Sequence, residues 1–132
     1  MSSVSYTAVI LDEKSKADLL SRIPFPKNWT LFAHHFTINL GAAATGPAVA
    51  LLGREAKMTV VSVASDDRVL AVKIETDVPS TNNTKHITVA VNKIAGGKPS
   101  QSNNLTNWEP IPAFVVTGMI AEVTHDGRVL TA

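Results

Sequence analysis

The chain contains no cysteine, which excludes disulfide staples, thiolate nucleophiles and cysteine-bound metal, and which suits a reducing compartment. It also has no charge of one sign in excess, with twelve Lys and Arg against eleven Asp and Glu. A broad electrostatic footprint for long nucleic acid is therefore missing, and any nucleotide ligand is expected to be small or held locally. No long apolar run occurs, and Met1 to Tyr6 is polar, so neither a membrane span nor a signal peptide is expected. The expectation is a cytoplasmic chain without membrane association, whose three N-x-Ser/Thr sequons at Asn28, Asn82 and Asn104 are idle. Three catalytic signatures are absent too: a His-Glu-x-x-His zinc motif, a nucleophile elbow, and a phosphate loop, since Gly97-Lys98 is followed by Pro99. Nothing calls for a metal or an organic cofactor.

What the chain does have is 132 residues, 45% of them hydrophobic, enough for one domain spanning 1–132 with a real core. Ser5 to Leu11 reads as a strand and Asp12 to Ile23 as an amphipathic helix. Asp12 is its cap, Ala17, Leu19, Leu20 and Ile23 are its apolar stripe, and Pro24 and Pro26 follow its end. Thr30 to Leu40 alternates as a strand, while Gly41 to Gly53 fits a loop or a short helix. Met58 to Ala64 and Arg68 to Thr76 form a hairpin through Ser65, Asp66 and Asp67. After a polar stretch from Pro79 to Lys85 comes a strand over His86 to Asn92. Gly96 to Trp108 is a long Gly, Ser and Asn rich loop whose length hints at a working part. Phe114 to Thr124 is a last long strand, returned by Asp126-Gly127 through Arg128 to Thr131. The fold class is α+β, with one or two helices and mainly antiparallel strands. The two histidine strands are expected to mark two lobes with a cleft between them.

Two phrases carry the chemistry: His35-Phe36-Thr37-Ile38 and His86-Ile87-Thr88-Val89. In the first run Leu31, Ala33, His35, Thr37 and Asn39 share one face, while Phe32, Phe36, Ile38 and Leu40 take the other, apolar face together with His34. In the second, His86, Thr88, Ala90 and Asn92 point one way and Ile87, Val89 and Val91 the other. Each strand thus presents an imidazole and a hydroxyl on the face that is not the core. Metal-free cleavage of a phosphodiester needs one group to take a proton from the attacking oxygen and another to give one to the leaving oxygen. Imidazole can do either near neutral pH, and hydroxyls can hold the non-bridging oxygens.

Paired His-h-Thr-h phrases, with h apolar, on two strands of a small α+β domain resemble the 2H phosphoesterase superfamily, which includes LigT-like RNA phosphodiesterases and cyclic phosphodiesterases. The strand and helix over Tyr6 to Ile23, the hairpin before the second phrase and Gly96-Gly97-Lys98-Pro99 after it extend the likeness over most of the chain. The resemblance implies a metal-independent phosphodiesterase acting on 2′,3′-cyclic phosphates or on 2′-5′ and cyclic nucleotide linkages. His35 and His86 would be its acid and base, assisted by Thr37 and Thr88. A nucleotide or short RNA is the implied substrate, and no obligate protein partner is inferred. Two other functions fit the same residues: a viral or phage-type hydrolase of cyclic nucleotide immune messengers, and a non-catalytic nucleotide or RNA binding module.

The remaining candidates have plainer readings beside the functional ones. Lys98 can reach a phosphate from its glycine loop or serve as a turn lysine. Asn103 can bond a nucleotide or simply belong to an exposed loop. Tyr6 and Trp108 can stack on a base or pack in the core. His34 is read as a core histidine or a support for its neighbour, and His125 as a solvated turn residue.

Overall fold

The main-chain hydrogen bonds of six antiparallel strands run round into a ring in which the last strand pairs back on the first. The computed structural model describes residues 3–131. In chain order these form β1 (Val4–Leu11), α1 (Glu13–Arg22), β2 (Thr30–Leu31), β3 (His35–Leu40), β4 (Glu55–Ser65), β5 (Val69–Glu75), β6 (His86–Val91), β7 (Glu109–Thr124) and β8 (Val129–Leu130). The ring runs β1-β3-β6-β5-β4-β7 and closes where β7 pairs back on β1. The short β2 adds to β6, and β8 to β7. The α+β class holds, but the architecture is one closed barrel where two lobes were expected. The physical reason is that β3 pairs directly with β6, through Phe36 and Ile87, so the histidine strands are neighbours in one sheet. Closure also removes the open edges that two separate sheets would have to protect.

Alternation builds the interior. Val9, Phe36, Ile38, Met58, Val60, Val72, Ile87, Val89, Val116 and Ile120 point inward and are buried, each removing about 1.5–3 kcal/mol worth of apolar surface from water. Helix α1 adds Leu19 to the same core, together with Ile23 just after its last residue. Its start is fixed by Asp12, whose Oδ1 accepts the Ser15 N–H at 2.7 Å while its other oxygen accepts the Thr117 hydroxyl of β7. A smaller cluster of Ala64, Val69, Ala71, Val91 and Leu105, flanked by Phe32 and Trp108, lies apart from this interior on the residues of opposite parity. The polar loop is therefore ordered: its 3-10 turn Pro99–Asn104 and Leu105 are packed against β5 and β6.

Three local expectations change, and one alternative left open is resolved. Ala90 turns into the main core and Val91 out of it, because the β5–β6 register slips between Leu70 and Ala71 and reverses the alternation beyond Thr88. Leu40, expected on the apolar side, is 82% exposed, since it ends β3 at the positive-φ Gly41. Strand β7 begins at Glu109, well before Phe114, despite Pro110 and Pro112. Over its first half it bonds only to β4, so the prolines cost no ladder bond on the open side. Gly41 to Gly53 contains two short 3-10 turns, Ala43–Thr45 and Val49–Leu51. No helix among the described residues is long and apolar enough to cross a membrane.

The closing seam has its own signature. A Cβ added at Gly118 of β7 would run into the Ile10 carbonyl oxygen and the Val9 side chain of β1. Gly118→Ala is expected to lower stability by about 1–3 kcal/mol in urea unfolding; an unchanged midpoint would contradict so close an approach of β1 and β7.

Candidate active site

Phe36 and Ile87 face each other across β3 and β6 with their side chains in the core. Alternation outward from this one pair carries His35 and Thr37 of β3, and His86 and Thr88 of β6, to the face turned away from Phe36 and Ile87. The two imidazoles occupy one diagonal of this quartet and the two threonines the other. Diagonal neighbours in a regular antiparallel pair stand roughly 7–8 Å apart, with their Cβ atoms somewhat closer. His35, Thr37 and Thr88 are half-buried, whereas His86 is buried, 7% exposed.

Both rings are tied at Nδ1. The Thr84 carbonyl lies 2.8 Å from His86 Nδ1; a carbonyl only accepts, so that nitrogen carries the proton and Nε2 is left for a ligand. His35 Nδ1 lies 2.5 Å from His34 Nδ1, so one ring must donate and the other accept. Tyr6 stacks on His35 with ring centroids 4.8 Å apart, and the His34 ring stands 4.3 Å away on a tilted plane. Burial, then the nearby His34 and His86, push the His35 imidazole down to about 3. His35 is thus neutral near pH 7.

Of the two readings of His34, a core histidine or a support for its neighbour, the geometry fits the second: it lies half-buried against His35, off the side it was expected to share with Phe32 and Phe36. Four residues separate Leu31 from Phe36, whereas two separate their partners Ala90 and Ile87, so the β2–β3 segment carries a bulge here. At that bulge Ala33 takes φ +50°, a left-handed conformation unusual for a residue with a Cβ. The kink turns His34 to its neighbour's side.

The threonines differ. Thr88 Oγ1 is 2.8 Å from the hydroxyl of Ser102, a residue only 1% exposed, and 3.4 Å from the Pro99 carbonyl. The Thr37 hydroxyl has no hydrogen-bond partner among the described residues, although its carbonyl accepts from Ser80 at 3.0 Å. Of the other candidates, Tyr6 joins the quartet through its stack on His35. Lys98 and Asn103 are exposed in the turn that touches Thr88, with Asn103 Nδ2 donating to the Ser100 carbonyl at 3.1 Å. Trp108 packs against the smaller apolar cluster. Ser102 was readable only as one polar loop residue among several, because nothing local marks its long-range partner. Among the described residues no group of three or more His, Asp or Glu is placed to hold a metal ion.

A small barrel with paired histidine phrases on adjacent strands defines a class, and comparison supplies the family. The fungal tRNA ligase phosphodiesterase domain matches residues 14–128. The chain belongs to that family, a branch of the 2H phosphoesterases. No curated protein and no solved structure matches it.

The depressed His35 has a measurable consequence. Between its unfolded value near 6.5 and its folded value of about 3, the unfolded chain holds a proton that the folded chain refuses, so stability falls as pH falls through this window. His34, lowered by burial and by Lys16, acts in the same direction. Acidifying from about pH 7 to about pH 5 is expected to cost about 2 kcal/mol through His35. Urea midpoints should show a shallower acid-side slope in His35→Asn; equal slopes would contradict the buried neutral ring.

Proposed function

We propose that the chain hydrolyses 2′,3′-cyclic phosphates, or 2′-5′ and cyclic nucleotide linkages, by general acid–base catalysis through His35 and His86. The observation that carries this reading is the pairing of Phe36 with Ile87, which sets two imidazoles, each with Nδ1 engaged, on neighbouring strands. In-line displacement at phosphorus needs proton transfer on two opposite sides of one atom.

The neutral His35 takes the base role. Its Nδ1–H donates to His34, and its Nε2 lone pair removes a proton from water as the water oxygen attacks phosphorus. The bond from phosphorus to one ribose oxygen breaks, and that oxygen takes the Nε2 proton of a doubly protonated His86, which keeps its Nδ1–H on the Thr84 carbonyl. The product is a phosphomonoester, and proton exchange with solvent restores both rings. Where the substrate is a 3′-5′ linkage, the neighbouring 2′-hydroxyl replaces water as the attacking group. Thr37 donates its hydroxyl to a non-bridging oxygen, and Thr88 does so by rotating from Ser102. His34 is a positioning residue, since the proton it accepts sets which His35 nitrogen faces the substrate.

The test is turnover of cyclic mononucleotides and cyclic-phosphate RNA ends in the presence of EDTA. His35→Ala and His86→Ala are each expected to lower kcat by about 10²–10⁴-fold, and Thr37→Ala by about 10²-fold, with binding of the product nucleotide retained. His34→Ala should displace the acidic limb of the pH–rate profile. Wild-type activity that vanishes on chelation, or survives loss of either imidazole, would overturn the mechanism.

A further inference from the structure

The quartet does not end at His86. On the far side of that residue from Thr37, β5 pairs with β6 so that Lys73 stands directly opposite His86, with Ala71 opposite Thr88. Val72 and Ile74 on either side of Lys73 are buried in the core. Lys73 therefore points outward, on the same face as the histidines, with its Cβ roughly 4.5–5.5 Å from that of His86. It is half-buried, unusual for a lysine, and it makes no hydrogen bond or ion pair among the described residues. Glu75, two positions along the same face of β5, is exposed and forms no ion pair with it. Its other neighbour across the sheet, Ser62 of β4, is uncharged. An ammonium on a four-carbon stem is thus held beside His86 with no carboxylate at ion-pair distance among the described residues.

Resting on the diesterase reading of the quartet, we infer that Lys73 binds a second phosphate of the substrate, the one on the 5′ side of the nucleotide whose 2′ or 3′ oxygen leaves. The reacting phosphorus sits inside the diagonal, where the threonine hydroxyls face its non-bridging oxygens. Lys73 lies outside the diagonal, one strand spacing beyond His86, so the imidazole stands between it and that phosphorus. On the leaving-group side the next anionic group of a nucleotide is its 5′-phosphate. That group is a terminal monoester in a free nucleotide and an internucleotide diester at an RNA end. The ligand class is then a nucleotide phosphorylated on both sides of the ribose, and a nucleoside cyclic phosphate without a 5′-phosphate is a poorer substrate.

The test compares binding of three product-like probes by calorimetry: a nucleoside 2′-phosphate, the corresponding 2′,5′-bisphosphate, and a dinucleotide ending in a 2′-phosphate. The wild-type chain should favour the two 5′-linked probes over the first by about tenfold, the scale of one charge-assisted contact. Whichever of the two binds tighter identifies the source of the 5′-phosphate. Lys73→Gln should bring the ratio close to one, and Lys73→Arg, which keeps the charge, should retain most of it. Thermal unfolding of both variants shows that they remain folded. No preference in the wild type, or a Lys73→Gln that weakens all three probes by the same factor, would overturn the assignment. A chain that binds the 5′-linked probes preferentially yet turns over no cyclic phosphate would support Lys73 and defeat the diesterase reading.

Discussion

The short contact between β3 and β6, centred on Phe36 and Ile87, is the constraint on which the site depends. Because side chains alternate along a strand, burying these two residues in one core forces their neighbours out together. A slip of one residue in this register would send one imidazole inward and leave the other alone. Phe36, Ile38, Ile87 and Val89, all buried, thus hold the register that turns the candidate residues His35, Thr37, His86 and Thr88 away from the core.

Around that constraint the barrel spends much of its irregular backbone. Bulges lie on both sides of the quartet, in the β2–β3 segment at Ala33 and His34 and in β6 beyond Thr88. The first brings His34 against His35; the second turns Val91 outward, where it joins the apolar patch beneath the Pro99–Asn104 turn and Leu105. That turn in turn carries Ser102 to Thr88. Bulges of this kind re-aim side chains next to functional sites without ending the sheet. The closed ring makes them tolerable, because each disrupted stretch is flanked by intact ladder.

The histidine face was legible in the sequence, since strict alternation over Phe36-Thr37-Ile38 and Ile87-Thr88-Val89 specifies which side is buried. The helix was legible too, through Asp12 at its start and Pro24 beyond its end. Closure was not. It depends on β1 meeting β7 and on β3 meeting β6, long-range pairings that no local pattern encodes, and without them two strands with matching motifs read as two lobes. His34 was misplaced for a narrower reason: the positive φ falls on Ala33, a residue with no turn chemistry to announce it. The early start of β7 was hidden by Pro110 and Pro112, which argue against a central strand and are accommodated because that stretch has one open side.

The central claim is that both imidazoles address a single phosphorus atom from one face of the barrel. Its most direct test is nitrogen-15 NMR of histidine-labelled protein titrated with a nucleoside 2′-phosphate. The account predicts that the Nε2 resonances of His35 and His86 shift together, along one binding curve and at one-to-one stoichiometry, while His125 stays put. Movement of only one of the two rings, or two separate curves, would contradict it.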